Sequence, residues 1–231
     1  MEASRRRRLI LLVAASLAAV AALAPARAGA SDASATHAYI QADLALARAG
    51  IAGIGRAQAR IHAYNRELAA QCPGVGRGAP QTEEGQTMSA EVVAALWSLA
   101  YGANARPINT FLAKVSRLRW SNNAITRAAK SFARSWHELA TLPLPPLCAD
   151  IAAWKANGFQ TIPPSALSVV DSAESIHPKP VSARMLAPFA SAADRRTYAR
   201  ASRLEQRIGE SEFELGQDDW LEVLGTLKLP Q

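Results

Sequence analysis

The stretch Ile40–Leu68, IQADLALARAGIAGIGRAQARIHAYNREL, decides the fold. In it, Ile40, Leu44, Ala47, Ile51, Ile54, Gln58, Ile61, Asn65 and Leu68 recur in alternating steps of four and three. That is the spacing of one stripe along a long helix. Gly50, Gly53 and Gly55 fall in its middle, where each glycine costs about 1 kcal/mol against alanine. The stripe keeps its phase across them, so the spacing predicts one continuous helix. Together with Ala42, Ala45, Ala49 and Ala52, the glycines make a small-residue surface that another helix can approach closely. Asp32 or Ser34 is the expected cap at its start, and Cys72-Pro73-Gly74 the expected end.

Helical spacing continues downstream. Residues 73–85 form a Gly/Pro-rich polar loop. A second helix is expected over 89–101, carrying Val92, Val93, Leu96, Trp97 and Leu99 and stopped by Gly102. Pro107 suits the first turn of a third, with Ile108, Phe111, Leu112, Val115 and Leu118. Ser121 is the expected N-cap of a fourth, whose apolar face is Ile125, Ala128, Ala129, Phe132, Trp136 and Leu139. The Pro-rich segment Leu142–Pro146 is a stiff connector. Short helices over 148–156 and 165–175 follow, then irregular chain around 177–180. A long helix over 188–215 stops at Gly216, and Asp218 caps a last turn or two. No alternating run or hairpin signal points to a strand. The expected fold class is all-α: a helical bundle of four to five main helices with short accessory helices, in one domain over 31–231.

The chain starts differently. Arg5, Arg6, Arg7 and Arg8 precede an apolar run from Leu9 to Ala24, and Ala26-Arg27-Ala28 and Ala28-Gly29-Ala30 offer A-x-A cleavage sites. Residues 1–30 therefore read as a cleaved export signal peptide, which places the mature chain outside the cytoplasm, secreted or in the cell envelope. Arg7-Arg8-Leu9-Ile10-Leu11 fits a loose twin-arginine pattern, and the ordinary Sec route fits as well. The apolar run is short for a permanent anchor, and no transmembrane segment is expected in the mature chain.

Export changes the charge balance. The full chain carries +7. The signal holds five of the 26 basic and one of the 19 acidic residues, leaving 21 against 18, or about +3. The basic pI thus belongs largely to the signal, and nucleic acid is not an expected partner. Two cysteines, Cys72 and Cys148, remain. An even count in an oxidising compartment predicts one disulfide, a staple worth roughly 4 kcal/mol for so long a loop.

Charge is segregated along the mature chain. No acidic residue lies between Glu91 and Glu138, and Lys114, Arg117, Arg127, Lys130 and Arg134 fall in that interval. Arg127, Lys130 and Arg134 share one helix face. These five are the candidate anion-binding residues, for an anionic envelope polymer or lipid head groups. Internal pairing is the competing expectation: Glu205, Glu210, Glu212, Glu214, Asp218, Asp219 and Glu222 could pack beside the basic segment.

A second candidate lies inside the bundle. Gln58, His62 and Asn65 form a polar patch that interrupts the apolar stripe of the first helix. Buried polar groups of this kind fix helix register or line a site. The four histidines show no H-x-x-x-H or H-E-x-x-H spacing, and Asp218, Asp219 and Glu222 lack a calcium-loop pattern. The G-x-S-x-G elbow and the phosphate-loop Lys are absent, and Gly74–Gly78 reads as a turn. No catalytic residue, metal ligand or cofactor is predicted from these spacings. The expected role is a binding or scaffolding module of the envelope or exterior. The alternative is a cofactor- or metal-binding protein, or an enzyme, with its site inside the bundle.

Overall fold

The computed structural model describes residues 2–72, 74–75 and 82–229, with side chains from Ser31 onward except at 83, 209 and 211–216. Its elements are α1 (Glu2–Gln71), α2 (Glu83–Ala103), α3 (Ala105–Val115), α4 (Asn123–Ala140), α5 (Leu147–Ala156), α6 (Pro164–Ser175), α7 (Ala183–Leu186) and α8 (Ala192–Leu227). The architecture is all-α, with no strand among the described residues. No helix among them is long and apolar enough to cross a membrane. The expected count of four to five main helices is close: α1, α2, α4 and α8 are long, and four shorter helices join them.

The organising pair is α1 and α8. His37 meets Asp194, and Asn65 meets Glu222, in both cases across 157 residues of sequence. The two contacts lie 28 residues apart on each helix, which is four heptads. The helices therefore run parallel and without slip, the geometry that a four-and-three stripe supports. A parallel pair needs a long return, and α2–α7 supply it. The stripe on α1 is buried at both ends, from Ile40 to Ala47 and from Ile61 to Leu68. Ile51, Ile54 and Gln58 in its middle are only half-buried.

Two hydrophobic cores flank that middle. The first packs Tyr39 and Ile40 of α1 against Phe111, Trp120, Ile125, Phe132 and Leu186. Phe132 stands edge-on to both Phe111 and Trp136. The second packs Ile61 and Leu68 against Met88, Val92, Leu96, Trp154, Val223 and Leu227. The close approaches expected at the glycines occur at two of the three. A Cβ on Gly50 would lie 2.7 Å from Ile208 of α8, and one on Gly53 would lie 1.9 Å from Asn104 Oδ1, while Gly55 meets nothing.

Several sequence expectations need correction. The Cys72–Cys148 disulfide is not formed: both are free thiols, beyond disulfide distance. Cys72 follows the last turn of α1 and Cys148 opens α5. The two helix ends pack side by side in the second core, so the thiols neighbour one another without a covalent bond. Burial, then a hydrogen bond with Cys72, pushes the Cys148 thiol up to about 12. Asp32 does not cap α1. It is buried within that helix and accepts hydrogen bonds from the backbone N–H of Ser121, at 2.7 Å, and from its hydroxyl. Asn122, one residue after the expected Ser121, caps α4.

The last helix also differs. Its start is a capping box of Ser191 and Asp194, not Pro188, and it runs unbroken through Gly216 to Leu227. Asp218 thus lies inside a helix and caps nothing. A lone glycine carries only its propensity penalty of about 1 kcal/mol, which packing along α1 outweighs. Similarly, α2 starts at Glu83, with Thr82 Oγ1 accepting from the Gly85 N–H at 3.4 Å. Most of the expected 73–85 loop, including much of Gly74–Gly78, lies outside the described residues. So do the side chains of the expected signal, residues 1–30.

Candidate functional site

Between the two cores, where the stripe on α1 is half-buried, a cleft of about 540 Å³ opens between α1, α2 and α8. Ile54, Ala57 and Ile61 of α1 form one wall, Leu96, Trp97 and Tyr101 of α2 another, and Trp220 of α8 closes it. Trp97 is exposed, and the Trp220 indole N–H donates to the Ser89 carbonyl at 3.4 Å. Four polar residues interrupt this lining: Gln58, Asn104, Gln217 and Asp219. The cleft exists because Gly50 and Gly53 let α8 and the α2–α3 junction close above it. Small Ala57 and Ala100 leave its interior open.

The polar patch expected on α1 lies next to the cleft. Gln58 lines it, and His62 and Asn65 continue the same face of α1 along α8. Asn65 Nδ2 donates to Glu222 Oε1 at 2.6 Å. His62 Nδ1 stands 3.7 Å from Glu222 Oε2 and 3.9 Å from Asp219 Oδ1. Burial raises the Asp219 carboxyl, and the neighbouring His62 opposes that shift. The structure thus unites the three expected residues with two acidic residues of the C-terminal cluster. Sequence reasoning missed that partnership: Asp219 and Glu222 were expected to face the basic segment.

Two buried carboxyl pairs were also missed. Asp43 of α1 faces Glu205 of α8, and burial together with that second carboxyl pushes Asp43 up to about 8. Burial also raises Glu205, and it pushes nearby Tyr198 up to about 12. In the second core, Glu91 of α2 faces Asp150 of α5. Burial and that neighbour push Glu91 up to about 9. Ser165 donates to Asp150 Oδ1 at 2.6 Å. Two like charges buried together cannot both ionise, so each pair retains a proton near neutrality.

The five candidate cations are less tightly grouped. Lys114 on α3 and Arg117 in the turn after it are exposed and share a shallow groove with Arg106. Arg127 and Arg134 are exposed on α4 with Lys130 half-buried, and none of the three lines that groove. The expected internal pairing with the acidic helix is not seen among the described side chains, which do not include Glu212 and Glu214. Among the described residues every ion pair involves a histidine, and α8 packs chiefly on α1 and α2.

No family model, curated protein or solved structure matches this chain. The site therefore rests on its own geometry. Its apolar aromatic walls can take up a small molecule, and the polar cluster at Asp219 can meet a charged or hydrogen-bonding group.

Proposed function

We propose that the chain is an exported binding protein that holds a small, mainly apolar molecule in the cleft between α1, α2 and α8. The cleft carries this reading. Binding sites for small molecules are concave, about 300–1,000 Å³ in volume, and lined by apolar and aromatic side chains with few polar groups. At about 540 Å³, with Trp97, Tyr101 and Trp220 in its walls, this cleft fits that description. Among the described residues its only charged lining residue is Asp219, which favours a ligand with a neutral or cationic polar end over an anionic one. The arginine-led N-terminus and its A-x-A sites support an extracytoplasmic location.

The test is a titration of the purified protein with a dansyl-labelled alkylamine, followed by dansyl emission and quenching of tryptophan. The expected result is saturable binding that Ala100→Phe, which fills the cleft, abolishes while far-ultraviolet circular dichroism stays unchanged. Absence of saturable binding, or equal binding by Ala100→Phe, would sink the proposal.

A second reading is favoured by one observation. Lys114 and Arg117, with Arg106, line an exposed groove, and no described acidic residue pairs with them. On this reading α3 and α4 offer a cationic surface to an anionic envelope polymer or lipid head groups.

A further inference from the structure

We propose that His62, Asp219 and Glu222 bind a divalent transition-metal ion of the zinc class across the α1–α8 seam. The site stands whether or not the cleft holds an apolar ligand. One ligand atom from each residue lies within 4.8 Å of the other two. A tetrahedral ion with bonds of about 2.0–2.2 Å keeps its ligand atoms roughly 3.3–3.6 Å apart. The His62 separations of 3.7 and 3.9 Å are already close to that spacing. Helix register produces the cluster: Asp219 and Glu222 are three residues apart on α8 and project together. His62 and Asn65 have the same spacing on α1, and the parallel pairing brings the two faces into contact.

Two polar side chains more than nine-tenths buried point to a cation here. Asp219 is 4% exposed and its Oδ2 has no hydrogen-bond partner; Asn65 is 6% exposed and its Oδ1 has none. A buried carboxylate oxygen without a donor is strongly disfavoured unless a cation or a proton meets it. Asn65 acts as a positioning residue. Its amide nitrogen holds Glu222 Oε1, which leaves Oε2 turned toward His62. Such outer-shell hydrogen bonds orient ligands around bound metals.

The donor set selects the ion. Two carboxylates balance a divalent charge, and a neutral imidazole beside them suits zinc and its transition-metal neighbours. Calcium takes six to eight oxygen ligands, which this cluster does not offer. The His62 and Glu222 side chains are about half exposed, so water can complete the coordination shell. Asp219 also lines the cleft, so the ion would sit beside it.

The experiment uses the full chain, stripped with a chelator and then titrated with zinc alone by calorimetry, with cobalt(II) as a spectroscopic substitute. The expected result is stoichiometric uptake, visible cobalt d–d bands and a raised Tm. Half-exposed His62 can be replaced without opening the core, so His62→Ala should keep the fold and lose the bands and the Tm shift. Asn65→Ala should weaken zinc binding by about 10- to 100-fold. Lack of stoichiometric uptake overturns the proposal. So does uptake unchanged in His62→Ala, above all if Cys72→Ser or Cys148→Ser removes it.

Discussion

Raising the pH from about 5 to about 8 should destabilise this protein steeply, because its two carboxyl pairs keep protons that an unfolded chain releases near pH 4. Asp43 and Glu91 are almost fully buried. Burial and a facing carboxyl hold them up to about 8 and about 9. The sign follows from proton counting. A carboxyl raised in the folded state contributes stability that is fully present below its unfolded pKa and lost as pH rises through its folded pKa. Between the two values each such group lowers unfolding free energy by about 1.4 kcal/mol per pH unit. Two groups give about 2.7 kcal/mol per unit, so two units remove roughly 5 kcal/mol, a large share of an ordinary domain's stability. At the acid end the sign reverses. Hydrogen bonds from Ser191, helped by His37, hold Asp194 below the usual carboxylate range, and its contribution disappears as pH falls through that lowered value. Stability should therefore peak near pH 4. Urea unfolding followed by far-ultraviolet circular dichroism across this range measures the slope. Asp43→Asn and Glu91→Gln should each remove about half of it, leaving a flatter profile. A profile flat or rising from pH 5 to about 8, or a slope unaltered in both variants, would refute the reasoning.

Gly53→Ala should destabilise by about 1–3 kcal/mol through overpacking, read as a shift of the urea midpoint, because its Cβ would meet Asn104 Oδ1. Gly55→Ala, with open space around it, should be neutral or stabilising. Cys148, pushed up to about 12, should alkylate with iodoacetamide far more slowly in native protein at pH 8 than in urea, since only about one thiol in 10⁴ is ionised there. Equal rates would show that its surroundings do not suppress the thiolate. Reversing Arg106, Lys114 and Arg117 to Glu should abolish retention on anionic vesicles while leaving Tm within a few degrees, as exposed charges contribute under about 1 kcal/mol each. Unchanged retention would remove the second reading of the function.

The sequence made α1 legible because its stripe is mostly apolar, and an apolar stripe at steps of four and three has one physical reading. The same spacing runs along α8 through Asp194, Tyr198, Ala201, Glu205 and Ile208, then Asp219 and Glu222. Hydrophobicity hides it, because four of those seven positions carry carboxyls. Three of the four carboxyls have a particular partner on α1: Asp194 has His37, Glu205 has Asp43 and Glu222 has Asn65. None of these pairings is local, so no window of sequence contains them. The breaker signals at Gly216 and Asp218 then pointed the wrong way, since side-by-side packing against α1 outweighs one glycine's penalty. The same reasoning explains why half of the candidate site was visible. Gln58, His62 and Asn65 stood out as polar residues on an apolar stripe. Asp219 and Glu222 looked like ordinary members of an acidic helix until parallel pairing placed them opposite.

That pairing separates two roles for the polar positions. A residue that only fixes register needs one partner across the seam, as Asn65 has in Glu222. Register alone leaves no reason to bury a second carboxylate, Asp219, whose Oδ2 is unpartnered and whose Oδ1 stands 3.9 Å from the His62 imidazole. An apolar residue at 219 would extend the core formed by Val223, Leu224 and Leu227 and remove the desolvation penalty. Keeping a carboxylate there, at the edge of an aromatic cleft and in reach of His62 and Glu222, is a pattern that stability does not explain and that the proposed metal site would.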